Sequence, residues 1–348
     1  MKIEEFDYIL PKSLIAQYPP PKRGESRLMV VHRDSGAIEH RTFREFLRYV
    51  GNGDLLVFNN TRVLPARLIG KKETGGRCEA LLIPQWNGEK GGNGTPGGWN
   101  ALMKGMKDQR GGSRIRFEQG VDAEVREFEK GRARIRFSSR EGIVDILRRI
   151  GHIPLPPYIK RPDESPDRDR YQTVFAERDG SVAAPTAGLH FTEKMLRSIE
   201  RKGATLAFIT LHVGPGTFLP VKTAEVDHHA MESEWTEISQ KTSRKIDCTK
   251  QEGGRVIAVG TTVTRALESF SGPKGQVMPG TRFSSLFIRP PYPFRVVDGL
   301  VTNFHLPKST LILLVSAFAG KDLIREAYQE AVKRGYRFYS YGDAMLII

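Results

Sequence analysis

Residues Val256 to Ser269 read VIAVGTTVTRALES, and their order decides the fold. Four apolar residues, Val256 to Val259, make a short buried strand; Gly260 ends it and a helix starts near Thr261. The same order recurs outward along the chain. Thr205 to His212 is an apolar strand, Leu300 to Phe304 leads to a helix capped by Ser309 or Thr310, and Phe338 to Ile348 closes the chain as a strand. Towards the N-terminus, Phe6 to Gln17 has a turn-and-helix pattern. Leu28 to His32 and Ile38 to Arg41 are strands around the turn Asp34-Ser35-Gly36. Thr42 to Tyr49 is amphipathic, with Phe43, Phe46 and Leu47 on one face, and Leu55 to Phe58 is a buried strand. Strand-helix alternation implies an α/β sheet core.

Between about Leu68 and Ile150 the period changes to two, most clearly in Arg132 to Phe137 (RARIRF) and in Ser113 to Phe117. A glycine-rich stretch, Asn87 to Gly98, separates two strand candidates. The expected architecture is therefore a mixed-sheet α/β main domain, residues 1–67 and 151–348, with a small antiparallel β-barrel domain, residues 68–150, inserted in it. Gly92 to Gly97 spells a literal G-x-G-x-x-G, but no buried strand precedes it and no helix follows. It reads as a hairpin tip and not as a phosphate loop. The Pro-rich stretch HIPLPPYIKRP (His152 to Pro162) returns the chain to the main domain, and Asp163 to Arg170 reads as an exposed charged loop.

At 348 residues the chain is long enough for two domains with a sizeable core. Its 54 basic against 40 acidic residues leave a net charge of +14, a surface that attracts polyanions, of which nucleic acid is the commonest. Cys78 and Cys248 form no ligand-like cluster, which argues for a reducing compartment and against structural zinc. The N-terminus has no apolar signal-like core, and the longest apolar run, Leu311 to Ala319, is too short to span a bilayer. A soluble, cytoplasmic protein without membrane association is expected.

The candidate chemistry gathers where strands turn into helices, the usual ligand edge of an open α/β sheet. Ser181 to Phe191 (SVAAPTAGLHF) brings small residues, Pro185, Thr186 and Gly188 together and closes on His190, just before a helix capped by Thr192. Amides and hydroxyls at Gly260, Thr261 and Thr262 can hold an anion. Arg265 and Glu268 lie one turn apart on that helix, either as a solvated ion pair or beside the anion. LHVGPGTF (Leu211 to Phe218) places His212 at a strand end; TNFHLPKST (Thr302 to Thr310) places Asn303 and His305 at another, with Lys308 by the next helix. Imidazoles titrate near neutral pH and suit proton transfer. In HHAMESE (His228 to Glu234), His229 and Glu232 have no third ligand at matching spacing, so no metal is expected.

Taken in order with IAQYPPPKRGESRLMVV (Ile15 to Val31), GDLLVFNNTRVLPARL (Gly53 to Leu68), RYQTVFA (Arg170 to Ala176) and YGDAMLI (Tyr341 to Ile347), these stretches resemble the S-adenosylmethionine:tRNA ribosyltransferase-isomerase family nearly end to end. The resemblance implies an α/β domain beside a β-barrel. It also implies transfer of the ribosyl group of S-adenosylmethionine to the aminomethyl nitrogen of 7-aminomethyl-7-deazaguanine at the tRNA wobble position. Epoxyqueuosine-tRNA, adenine and methionine result, and S-adenosylmethionine is a consumed substrate, so no cofactor is expected. His190, His212 and His305 are the catalytic candidates, unassigned among themselves. Thr186, Gly188, Gly260, Thr261, Thr262, Arg265, Glu268 and Asn303 are the substrate-binding candidates, and Arg62, Arg67 and Lys308 the tRNA-binding ones. Two positions depart from the family pattern: Asn60 stands where an aspartate is common, and Glu232 where many relatives have histidine. A monomer is expected. The alternatives are a tRNA methyltransferase and a non-catalytic RNA-binding protein, separated from the main reading by whether adenine is released.

Overall fold

The computed structural model describes residues 1–84, 98–106, 112–139, 141–218, 221 and 223–348; the G-x-G-x-x-G motif at 92–97 lies outside the described residues. β1 (Arg27–Val31) and β2 (Ile38–Thr42) form an antiparallel pair. They turn at Gly36, whose φ of +72° suits glycine best. β3 (Leu55–Asn59) is buried at every residue, and the short β4 (Thr61–Val63) follows it. β5 (Arg67–Lys72), β6 (Arg77–Ile83), β7 (Trp99–Lys104), β8 (Arg114–Phe117), β9 (Asp122–Glu129) and β10 (Arg132–Phe137) then close into an antiparallel barrel, in the order β10-β7-β6-β5-β8-β9. α1 (Ile143–Ile150) seals the barrel core with Ile143, Ile146, Leu147 and Ile150, one helical face.

The short α2 (Asp167–Arg170) leads to β11 (Arg178–Ser181), which pairs with β4, and to α3 (Glu193–Arg201). The main sheet resumes with β12 (Thr205–Leu211), β13 (Glu234–Ile238), α4 (Gln240–Gln251), β14 (Val256–Val259), α5 (Thr261–Ser269), β15 (Gly280–Ser284), β16 (Gly299–Asn303), α6 (Thr310–Ala319), α7 (Lys321–Lys333) and β17 (Ala344–Ile347). Its nine strands run β15-β13-β12-β3-β14-β16-β17-β1-β2.

β12, β3, β14 and β16 are mutually parallel, so their carboxyl ends share one edge. β17 runs against β16, with Asn303 opposite Ala344, and β1 runs parallel to β17. The amino ends of β17 and β1 therefore arrive at that same edge. Alternate strand residues bury on opposite faces. Leu55, Val57, Val256, Ala258 and Leu300 pack with α4 to α7, whereas Leu56, Phe58, Ile257, Val259 and Val301 pack with Phe43, Phe46 and Ile199.

Three local expectations are corrected. Phe43–Arg48 is a 3-10 turn that buries Phe43 and Phe46. In the charged segment Asp163 to Arg170, Glu164 to Pro166, Arg168 and Asp169 are exposed as expected, but Asp167 is buried and takes two bonds from Arg161, at 2.6 and 2.9 Å, and one from the Tyr341 hydroxyl at 2.7 Å. The last strand starts only at Ala344, because Asp343 accepts the amides of Arg27 and Arg337 and folds 337–343 into a loop. That loop becomes a wall of the site.

Candidate active site

The Ser181–Phe191 stretch is tied down at both ends. The Ser181 hydroxyl donates to the Ala183 carbonyl (2.7 Å) and accepts the Val213 amide (2.9 Å), joining the loop to the end of β12. At the other end, the Phe191 ring packs edge-on against Phe43, Phe46 and Phe58. Thr192 then caps α3 by accepting the Met195 amide at 3.2 Å. Between these anchors, Pro185 and a 3-10 turn, Thr186–His190, cross the carboxyl edge of the sheet. Gly188 faces away: a Cβ there would lie 2.8 Å from Phe175 and Thr173, so a side chain would prise the loop off its support.

The loop forms one wall of a cavity that encloses about 650 Å³, its mouth included. Gly260, Thr261 and Thr262 bring the start of α5 to it, and Ser309 the start of α6. The first amides of a helix have no acceptor within it, so the side-chain-uncapped start of α5 favours an anion, whereas at α6 the Ser309 hydroxyl already accepts the Ile312 amide. Tyr158 and Tyr339, ring centroids 4.6 Å apart, supply aromatic surface. Burial pushes both phenols up, which keeps them protonated. Asn303 and His305, leaving β16, complete the lining. An anion-binding end, aromatic faces and a few directed polar groups are what a small amphipathic ligand needs.

The three histidines have different surroundings. Only His305 among them lines the cavity. Its Nε2 lies 2.7 Å from Thr302 Oγ1, and the Thr302 hydroxyl can donate to the Asn303 carbonyl at 3.2 Å. In that orientation Oγ1 accepts the Nε2 proton and Nδ1 is the basic nitrogen; with the hydroxyl turned to Nε2, the proton sits on Nδ1. Burial lowers the pKa of this imidazole to about 3, so it is neutral near pH 7. His190 stands one layer back. Its Nδ1 is 2.7 Å from Ser26 Oγ and its Nε2 is 3.2 Å from Asn303 Nδ2. Burial lowers its pKa to about 4; Asp343 acts against this, and Arg337 and Arg23 add to it. His212 stacks on Trp235 at 5.0 Å and shares a 2.8 Å hydrogen bond with Thr61 Oγ1. Burial, with Arg178 adding to it, takes its pKa to about 3.

Of the sequence-derived binding candidates, Thr186, Gly260, Thr261, Thr262 and Asn303 meet at the cavity. Arg265 and Glu268 do not pair with each other. Both are buried, Arg265 donating to Glu234 at 2.9 Å, while Glu268 accepts the amides of Arg295, Val296 and Val297. Glu234 in turn accepts the Gly214 amide at 3.2 Å, so the pair braces the end of β12 behind the cavity. The three basic candidates lie elsewhere, each beside a carboxylate: Arg62 with Asp179 (3.4 Å), Arg67 with Asp163 (2.8 Å) and Lys308 with Asp7 (2.7 Å). Asn60 accepts from the Thr210 hydroxyl and donates to Glu177. Glu232 reaches the barrel through Arg132 at 3.1 Å. Among the described residues, no three His, Cys, Asp or Glu side chains group as metal ligands would.

Residue-by-residue reading missed Ser26, Tyr158, Tyr339 and Ser340. No local period marks them. Ser26 does sit within one of the matched stretches, and Tyr158 within the Pro-rich return, where the Tyr158 hydroxyl meets Ser340 Oγ at 2.5 Å.

Fold and cavity together define an α/β protein with a candidate small-molecule site at the carboxyl edge of its sheet and a barrel beside it. The family model described as "Queuosine biosynthesis protein" matches residues 3–347, and the chain belongs to that family. It is 50% identical to the S-adenosylmethionine:tRNA ribosyltransferase-isomerases of Geotalea uraniireducens and Pelobacter propionicus, over 100% of this chain and of each relative. The solved S-adenosylmethionine tRNA ribosyltransferase of Thermotoga maritima is 36% identical, covers 99% of this chain and 100% of its own, and superposes with a TM-score of 0.56.

Proposed function

We propose that this chain transfers and isomerises the ribosyl moiety of S-adenosylmethionine onto 7-aminomethyl-7-deazaguanine at the wobble position of tRNA. The products are epoxyqueuosine-tRNA, adenine and methionine. One observation carries the reading: a chain of this family has, at the carboxyl edge of its sheet, a cavity combining helix N-termini, paired tyrosines and a neutral imidazole. The amides opening α5 suit the methionine carboxylate, and the Tyr158 and Tyr339 rings suit adenine. The sulfonium acidifies the C5′ protons. His305 Nδ1 is the candidate to take one, giving an ylide whose carbon pair forms C5′=C4′ as C4′–O4′ breaks; the O4′ pair then forms C1′=O4′ and expels adenine with the C1′–N9 electron pair. Adenine then needs a proton or hydrogen bonds as it leaves.

S-adenosylmethionine enters as a substrate, and the reading calls for no resident cofactor. A tRNA substrate fits a cytoplasmic protein; among the described residues no helix is long and apolar enough to cross a membrane. Every residue invoked belongs to one chain, so a monomer suffices. The test is product analysis with S-adenosylmethionine and tRNA carrying the aminomethyl base. Adenine and methionine are expected in step with modified tRNA. S-adenosylhomocysteine instead would make the protein a methyltransferase, and binding without any product would make it an RNA-binding module.

A further inference from the structure

Asn303 is buried to 3% exposure and lines the cavity, yet its side chain is half unsatisfied. Nδ2 donates to the Tyr339 carbonyl at 3.0 Å and faces His190 Nε2 at 3.2 Å. A carbonyl only accepts, so the amide cannot be turned round without losing that bond. Both amide hydrogens are therefore used, and Oδ1 is buried with no partner. His190 Nε2 must be an acceptor, which places its proton on Nδ1, donating to Ser26 Oγ at 2.7 Å. The His190 ring is clamped against Phe43 at 4.9 Å. Ser26, ahead of β1, and His190, ahead of α3, thus converge on one amide at the end of β16.

We propose that Asn303 Oδ1 accepts a hydrogen bond from an N–H group of bound S-adenosylmethionine, and that Ser26 and His190 are positioning residues that hold the amide oxygen in place. This rests on the reading of S-adenosylmethionine as substrate. A buried acceptor without a partner is costly, and a ligand donor removes that cost. An acceptor presented by the ligand at the same point would be rejected, so the relay also sets specificity. Two groups of the substrate have this chemistry, the exocyclic amine of adenine and the ammonium of methionine. The adjacency of Asn303 to Tyr339 favours the first.

The test measures binding of S-adenosylmethionine, and the steady-state rate of adenine release, for the wild type and for Ser26→Ala, His190→Ala, His190→Gln and Asn303→Ala. Two analogues accompany them, one with purine in place of adenine and one lacking the methionine ammonium. His190→Ala is expected to raise KM and the dissociation constant about tenfold, the scale of one well-placed hydrogen bond, with kcat within about twofold. Ser26→Ala should have the same effect but smaller. His190→Gln should restore most of the loss, because its Oε1 can accept from Asn303 Nδ2. The wild type should discriminate about tenfold against one analogue, naming the donor, and Asn303→Ala should not. Equal discrimination by Asn303→Ala and wild type overturns the proposal. So does His190→Ala with an unchanged KM and a collapsed kcat, which would put His190 in the chemistry itself. Should His190→Ala fail to fold, Ser26→Ala and the glutamine variant decide in the same way. If the wild type binds S-adenosylmethionine but releases no adenine, the functional reading fails, while the binding ratios still judge the relay.

Discussion

In β10 of the barrel, Ala133 and Ile135 point inward while Arg132 and Arg136 stay exposed, and the core behind them is apolar. At the carboxyl edge of the main sheet, Asn59, Thr61, His190, His212, Glu234, Arg265, Asn303 and His305 are all buried. Among the described residues, no polar side chain of the barrel strands is buried; the edge buries many, and most of their polar atoms, Asn303 Oδ1 and Arg265 Nη2 being exceptions, find a partner. Asn59 does so by accepting the Thr61 and Leu211 amides and donating to the Leu211 carbonyl. A buried polar group without a partner is costly, so the edge is specified by pairings and the barrel by pattern. The two regions should respond differently to the same perturbation.

Acid should separate them most strongly. No histidine occurs in residues 67–137, whereas His190, His212 and His305 are held at about 4, 3 and 3 by burial. Below the unfolded value near 6.5, the unfolded chain takes up protons that the folded edge refuses. Stability is therefore full above that pH and falls as pH drops towards 4, by about 1.4 kcal/mol per pH unit for each histidine, or about 4 for three. Urea unfolding between pH 7.5 and 5, with amide exchange, reads this: edge amides should lose protection before barrel amides. Simultaneous loss would break the contrast.

Next in size is the buried ion pair. Arg265→Leu takes the guanidinium from the buried Glu234 carboxylate and should cost about 3–5 kcal/mol. In the barrel, the solvent-exposed pair Arg116–Asp122 should be removable by Arg116→Ala without a measurable change in melting. Equal shifts for the two variants would mean that burial does not distinguish the regions.

Catalysis should follow the same division. His305→Ala is expected to lower kcat for adenine release about 10²-fold, the usual scale for losing a general base, while the fold persists. Ile135→Val, in the barrel core, should cost about 1 kcal/mol of stability and leave kcat unchanged. A normal kcat in the histidine variant would remove His305 as the base and return His212 to consideration.

The smallest effect concerns tRNA. Affinity should fall with salt in proportion to the phosphates contacted. Arg62 and Lys308 already face Asp179 and Asp7, so Arg62→Ala and Lys308→Ala should each lower the slope of log affinity against log salt by about 1 or less. A slope untouched in both would place the tRNA footprint on other basic residues.

Much of the fold was legible. Side-chain period is a local property, so the barrel strands, the apolar runs of β3, β14 and β16, and the glycine-to-helix transition at Gly260 could be read directly. The last strand was read too long and Asp167 too exposed because each depends on a remote partner: Arg27 for Asp343, Tyr341 for Asp167.

The site divides in the same way. Sequence alone determined that histidines, threonines and an asparagine stand at strand-to-helix junctions, because junctions follow from local pattern. Only the tertiary structure decided that His305 faces the cavity, that His190 stands behind Asn303, and that Arg265 answers Glu234 and not Glu268. Tautomer, burial and hydrogen-bond partner depend on residues far along the chain; for His190 they are Ser26, 164 positions away, and Asn303, 113 positions away. No local pattern carries information about partners at that distance; the amino end of β1 and the carboxyl end of β16, with β17 between them, reach one edge of the sheet and bring them together.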